Sequence, residues 1–434
     1  MRSVALSFVA IAVPLMLTAQ TGPTETVRTA FSALKAHHWQ QLAALIDPGS
    51  LENFKQSELR ALAAFARQQD EIAAATREGR GYSLDIHNEL RPGEIQQVAK
   101  VRIRTLADSP TMATLAAESA SDFFVRLSSE IYGSRAEKEL RQDIAGLERQ
   151  LIGEIVENDT LVHVVYRREY RHVEGDTLWS ELPGSLKIAS LTRVRSRWLL
   201  KLGDDIGWFA DFSSLLRDRR WPSPEFKRQT RITEAPSVSA GAPAARRNAI
   251  DPARDAFAAF ENKDWVSLAA RVHPKDLSAF QRGQIAYLIA WERSKEWRSQ
   301  AMRAGTAFML SYDDSLSDEE LARAVNVKMP MFGASTTIGE LTHLSPAVFF
   351  TRWCETAYGP KSGHFGTWRT GLTRQVIGEA IENAAVAHVL YRFAGESGVE
   401  LITLVREGDD WGIRFNSDIG FPVDLNMILH ETDH

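Results

Sequence analysis

The last five residues, His430-Glu431-Thr432-Asp433-His434, spell His-Glu-x-x-His. On a helix this spacing sets two imidazoles on one face, where they can hold zinc while the glutamate acts as a base. The run ends at the second histidine, so no further ligand follows it in this sequence, and a short stretch rich in Thr and Asp frays readily. The motif reads as a chance match; no metal and no other cofactor is expected. His163 and His388 make a better pair, in His163-Val-Val-Tyr-Arg and His388-Val-Leu-Tyr-Arg. Period-two alternation puts His163 with Leu161, Val165 and Arg167 on one strand face and Val164 with Tyr166 on the other. Facing a pocket beside Asp205 or Glu154, such a histidine could serve as acid or base near neutral pH. The alternative is a structural, hydrogen-bonded histidine. Arg126 and Arg352 lie on helices that also carry Tyr132 and Tyr358. These four could hold an anionic ligand, or Arg126 could pair with Glu154 or Asp205 and tie helix to sheet.

The pairing of these positions reflects a duplication. One constant spacing carries Arg28-Thr-Ala-Phe onto Arg254-Asp-Ala-Phe, Trp39 onto Trp265, Phe54 onto Phe280 and Tyr132-Gly133 onto Tyr358-Gly359. After a short slip, Arg149-Gln-Leu-Ile-Gly-Glu matches Arg374-Gln-Val-Ile-Gly-Glu, and Trp198 to Gly207 finally matches Trp411 to Gly420. The first copy carries an insertion between Tyr166 and Trp198. A repeat of this length fixes the architecture before any single element is considered. The expected organisation is a first module over 24–212, a Pro-, Ala- and Ser-rich linker over 213–250, a second module over 251–424 and a tail over 425–434.

Each copy reads helices first and strands last. Val27, Ala30, Phe31 and Leu34 have helical spacing, a short helix follows from Trp39, and Ser50 is placed to cap a longer one. Asp122 to Tyr132 is a further helix. Gln150–Val156 and Thr160–Arg168 read as strands joined through Glu157-Asn-Asp, with two more strands around 187–194 and 198–202. This order predicts an α+β fold: two tandem cone-like modules, each a helical layer on a curved antiparallel sheet.

Phe31-x-Ala-Leu, Trp39-x-x-Leu-Ala and Pro48, with a hairpin beside an Asn-Asp turn and a closing strand entered at Trp198 or Trp411, resemble the nuclear transport factor 2-like (SnoaL-like) superfamily. The resemblance implies a curved sheet wrapped around helices and a pocket, and members that often pair through the sheet. The two modules packing as a pseudo-dimer is therefore one expectation. The superfamily includes isomerases, dehydratases and non-catalytic binding modules, so the resemblance fixes no activity.

Composition sets the remaining bounds. The chain has 434 residues, 44% hydrophobic and 25% charged, with a formal charge of −5. That balance makes no electrostatic case for nucleic acid or for an anionic membrane. Arg2 followed by the apolar run Val4 to Leu17 has the layout of a secretory signal peptide, residues 1–19 with cleavage expected after Ala19. The run falls short of the roughly 20 residues of a spanning helix, so no membrane span remains after its removal. An exported protein, periplasmic or extracellular, is expected. Cys354 is the single cysteine; it has no disulfide partner in the chain, and its counterpart is Ser128. These readings favour non-catalytic binding of a small molecule or protein. The alternative is an isomerase- or hydrolase-type enzyme that uses His163 or His388 in a cone pocket.

Overall fold

In the computed structural model the described residues are 22–77, 93–104, 106–133, 147–170, 185–202, 248–303, 317–359 and 372–415. The expected signal peptide, nearly all of the linker, Asp205, and the tail with His430, Glu431 and His434 lie outside them. The chain divides into two compact units, Met1–Arg231 and Ile232–His434. The fold is α+β, with two separate four-stranded antiparallel sheets, each packed against helices.

Module one begins with α1 (Pro23–Lys35), α2 (Trp39–Ala43) and the long α3 (Pro48–Arg77), followed by α4 (Glu94–Val98), α5 (Met112–Ala117) and α6 (Ala120–Gly133). The caps explain the boundaries. Thr111 accepts from the Thr114 amide at 3.2 Å to open α5, and Ser119 accepts from the Asp122 amide at 3.0 Å to open α6. Side-chain oxygens here satisfy amides that the first helical turn leaves without partners. The α3 cap differs from expectation. Asp47 accepts from the Ser50 amide at 2.8 Å, so Ser50 lies inside a helix that starts at Pro48. Proline suits that first turn because its missing N–H would find no helical acceptor there.

Strands β1 (Leu147–Asn158), β2 (Leu161–Tyr170), β3 (Ser185–Val194) and β4 (Arg197–Leu200) pair in sequence order. Val164, Tyr166, Ala189, Leu191 and Leu200 join the helical residues Val27, Leu34, Leu62, Phe123 and Phe124 in one core. A short parallel bridge between Ile46 and Leu200 fastens the end of the α2 region to the last strand. The Asp47 amide donates to the Leu200 carbonyl at 2.8 Å, and the Leu200 amide to the Leu45 carbonyl at 2.8 Å.

Module two repeats this plan with α7 (Ile250–Glu261), α8 (Trp265–Arg271), α9 (Pro274–Arg293), α10 (Lys295–Arg303), α11 (Asp318–Ala324), α12 (Ile338–His343), α13 (Pro346–Ala357) and strands β5 (Arg374–Asn383), β6 (Val386–Phe393), β7 (Glu400–Glu407) and β8 (Asp410–Ile413). Thr337 and Ser345 cap α12 and α13, as Thr111 and Ser119 cap α5 and α6. The bridge recurs between Val272 and Ile413, with the His273 amide donating to the Ile413 carbonyl at 2.8 Å. One further tie keeps its place and changes its chemistry. Lys55, 7% exposed, donates to the carbonyls of Ala116 and Glu118 at 2.8 and 2.6 Å; the matched Gln281 donates to those of Leu341 and Leu344 at 3.1 and 3.0 Å. No described helix is long and apolar enough to cross a membrane.

Candidate functional site

The histidines sit at the centre of a repeated hydrogen-bonded trio. His163 pairs across the ladder with Ser190, and its Nδ1 lies 2.9 Å from the Ser190 hydroxyl. Its Nε2 lies 2.9 Å from Glu157 Oε2. In module two, His388 Nδ1 is 3.1 Å from the Thr403 hydroxyl and Nε2 is 2.8 Å from Glu382 Oε2. Both glutamates fall where the register slips, between Val156 and Asn158 and between Ile381 and Asn383. Each is therefore the extra residue of a β-bulge, which turns a side chain out of regular alternation. An ionised carboxylate only accepts, so it takes the Nε2 proton, whereas a hydroxyl can donate to Nδ1 or accept from it. The trio stays satisfied whether or not the ring carries its second proton.

Its position argues against substrate chemistry. His163 is 1% exposed and His388 0%. Val164 and Tyr166, or Val389 and Tyr391, pack on the helices, so alternation turns each histidine to the opposite sheet face. The strand's own geometry thus turns each histidine away from the helix-packed interior, and a structural, hydrogen-bonded histidine is the reading that the contacts support. The described carboxylate partner of His163 is Glu157, and Glu154, one of the two expected, is engaged elsewhere. Glu154 binds the start of α1, accepting from the Thr24 amide at 2.8 Å and from its hydroxyl, and Asp205 lies outside the described residues. Glu379 repeats the anchor on the Ala249 amide at 2.9 Å.

The Arg and Tyr candidates separate. Arg126 pairs with Glu118, Nε to Oε1 at 2.8 Å and Nη2 at 2.7 Å, in place of the expected Glu154 or Asp205. The Glu118 hydrogen bond raises the Arg126 pKa above the usual arginine value, against a smaller opposing effect of burial. Arg352 instead donates to the Phe332 carbonyl at 2.8 Å and the Thr336 hydroxyl at 2.7 Å. Arg126 binds the residue ahead of its own helix and Arg352 the turn ahead of α12, and neither is brought against its module's tyrosine by these bonds. Tyr132 stacks on Trp39 with ring centroids 4.8 Å apart, and Tyr358 on Trp265 at 5.1 Å.

A second constellation lies on the helix-facing side of each sheet. In module two the buried Arg374 guanidinium lies over Phe260 at 4.6 Å, Phe393 at 4.9 Å and Phe257 at 5.7 Å, with Nη1 3.9 Å from Glu261 Oε1. Arginine over aromatic faces gains cation–π attraction that offsets part of its desolvation. Burial lowers the Arg374 pKa from the usual arginine value, while Tyr391, Glu261, Glu400 and Tyr358 pull it the other way. The Tyr391 hydroxyl donates to Glu400 Oε2 at 2.5 Å. In module one Arg149 lies over Phe31 at 5.2 Å, and Phe31 packs against Tyr166 at 4.8 Å. Sequence reasoning matched Arg149 with Arg374 and Tyr166 with Tyr391 as repeat positions without marking them as a site. Their recurrence on the Val164/Tyr166 face was the available signal.

No family model and no curated protein matches the sequence. Among solved structures, a cystatin-like protein from Ruminococcus gnavus aligns with 90% of this chain and 88% of its own at 11% identity, with a TM-score of 0.16.

Proposed function

We propose that this chain is an exported binding protein, made of two modules of the nuclear transport factor 2-like kind, that holds a ligand or partner without transforming it. The supporting observation is the charged and phenolic cluster inside each module, represented by Arg374, Tyr391 and Glu400. Ionic groups placed against a core cost stability, which makes the buried Arg374 beside a phenol and a carboxylate a candidate binding position. The Glu–His–hydroxyl trios speak against turnover, because both histidines are sealed and each ring nitrogen already faces a partner.

Native mass spectrometry of the purified chain tests the reading. A co-purified small molecule or partner that keeps its mass on prolonged incubation with the protein is the expected result. Recovery of a converted product, with conversion abolished in a His163→Gln/His388→Gln variant, would establish the enzyme alternative instead.

A further inference from the structure

The hairpin between β1 and β2 carries a motif outside the buried clusters. Asn158-Asp159-Thr160 is the single Asn-x-Ser/Thr run in the sequence. In an exported chain that run is the acceptor pattern for an asparagine-linked sugar, and it must lie on a surface loop to serve as one. Asn158 stands opposite Leu161 in the ladder, so Asp159 and Thr160 form the turn between them. All three residues of the motif are exposed. Asn158 Oδ1 accepts from the Thr160 amide at 2.9 Å and from the Thr160 hydroxyl at 2.8 Å. An asparagine that bonds the backbone two residues on is a local turn of its own. The oxygen end of the amide is therefore committed to the turn, and Nδ2 is the other end of a side chain open to solvent.

Module two keeps the turn and drops the hydroxyl. Asn383 stands opposite Val386, and its Oδ1 accepts from the Ala385 amide at 2.8 Å, but alanine has no counterpart to the Thr160 hydroxyl. The hairpin thus uses the asparagine in both copies and does not require the threonine. We propose that Asn158 accepts an asparagine-linked glycan as the chain is exported, and that Asn383 does not. The inference rests on the export reading above and adds a covalent modification to it. The donor is an oligosaccharide carried on a lipid diphosphate. Nδ2 forms a C–N bond to the anomeric carbon while the bond from that carbon to the diphosphate oxygen breaks. The diphosphate leaves with the electron pair, and the amide gives up one proton. Asn158 ends β1, an edge strand, close to exposed Val156. A bulky hydrophilic group there hinders other chains from pairing along that edge.

Mass spectrometry of the full chain, produced with its own leader in a eukaryotic secretory host, tests it. The expected product has lost the leader and carries a glycan that peptide N-glycanase removes, leaving deamidation at Asn158. Thr160→Ala loses the glycan while the thermal unfolding midpoint holds, since Asn383-Ala384-Ala385 makes the same turn without a hydroxyl. Ala385→Thr gains a second glycan, at Asn383, and absence of that gain overturns the contrast drawn between the modules. A processed chain with unmodified Asn158, or a glycan that survives at Asn158 in Thr160→Ala, overturns the modification and leaves the export reading intact. A chain that stays inside the cell with its leader attached overturns both.

Discussion

The His163 imidazole lies 2.9 Å from the carboxylate of Glu157, which sits at the register slip between Val156 and Asn158. The same bulge and the same contact hold Glu382 to His388 at 2.8 Å. A defect in strand pairing has thus been kept in both copies, together with the bond it makes possible.

Glu157→Ala and Glu382→Ala are each expected to destabilise their own module by about 1–3 kcal/mol, because a buried ring nitrogen loses its acceptor. Glu→Gln, which keeps an acceptor oxygen, costs less. Urea unfolding followed by module-specific probes measures both, and equal stability of the alanine variants and the parent would refute the structural role.

Lys55 and Gln281 perform one task with different chemistry, so exchanging them is informative. Lys55→Gln is expected to stay within about 1 kcal/mol of the parent, whereas Lys55→Met, which leaves two carbonyls without their donor, costs about 1–3 kcal/mol. The shift in denaturation midpoint separates the two outcomes.

Glu320 accepts from the Ser317 amide and from Arg293 Nη1, and these contacts, led by Arg293, lower its pKa from 4.5 to about 2. A depressed folded-state value means that its contribution is present above the unfolded value of 4.5 and fades as pH falls through about 2. NMR titration of the Glu320 carboxyl should give a midpoint near about 2, and Arg293→Ala should raise it. An unshifted midpoint would show that the capping box and ion pair do not persist in solution.

Cys354 is buried in the module-two core, and desolvation raises its thiol pKa well above the ordinary value. Few thiolates form and little reagent reaches them, so iodoacetamide should leave the folded chain unlabelled and modify it after denaturation. Rapid labelling of native protein would indicate that this part of the core opens.

The tandem plan was legible because duplication preserves pattern at every level, from the Trp39/Trp265 pair to the helices-then-strands order. Helix starts were nearly as plain, since Ser317 and Glu320 form a capping box that the sequence displays directly. The histidine partner was not. Glu157-Asn158-Asp159 has the composition of a turn, yet β1 runs through Asn158, whose side chain closes the tight turn on the Thr160 amide at 2.9 Å. A bulge of one residue leaves no compositional trace. The partner of Arg126 was hidden for another reason: Glu118 lies in a loop, and loop residues have no period from which to infer direction.

The parallel bridges at Ile46–Leu200 and Val272–Ile413 have one more consequence. A last strand with open amides and carbonyls is a template on which a foreign chain can polymerise. Here the neighbouring backbone has already claimed the Leu200 amide and carbonyl and the Ile413 carbonyl at the ends of the terminal strands. Two near-identical sheets in one polypeptide are a standing invitation to mispairing during folding, and this small stitch removes one of the places where it could begin.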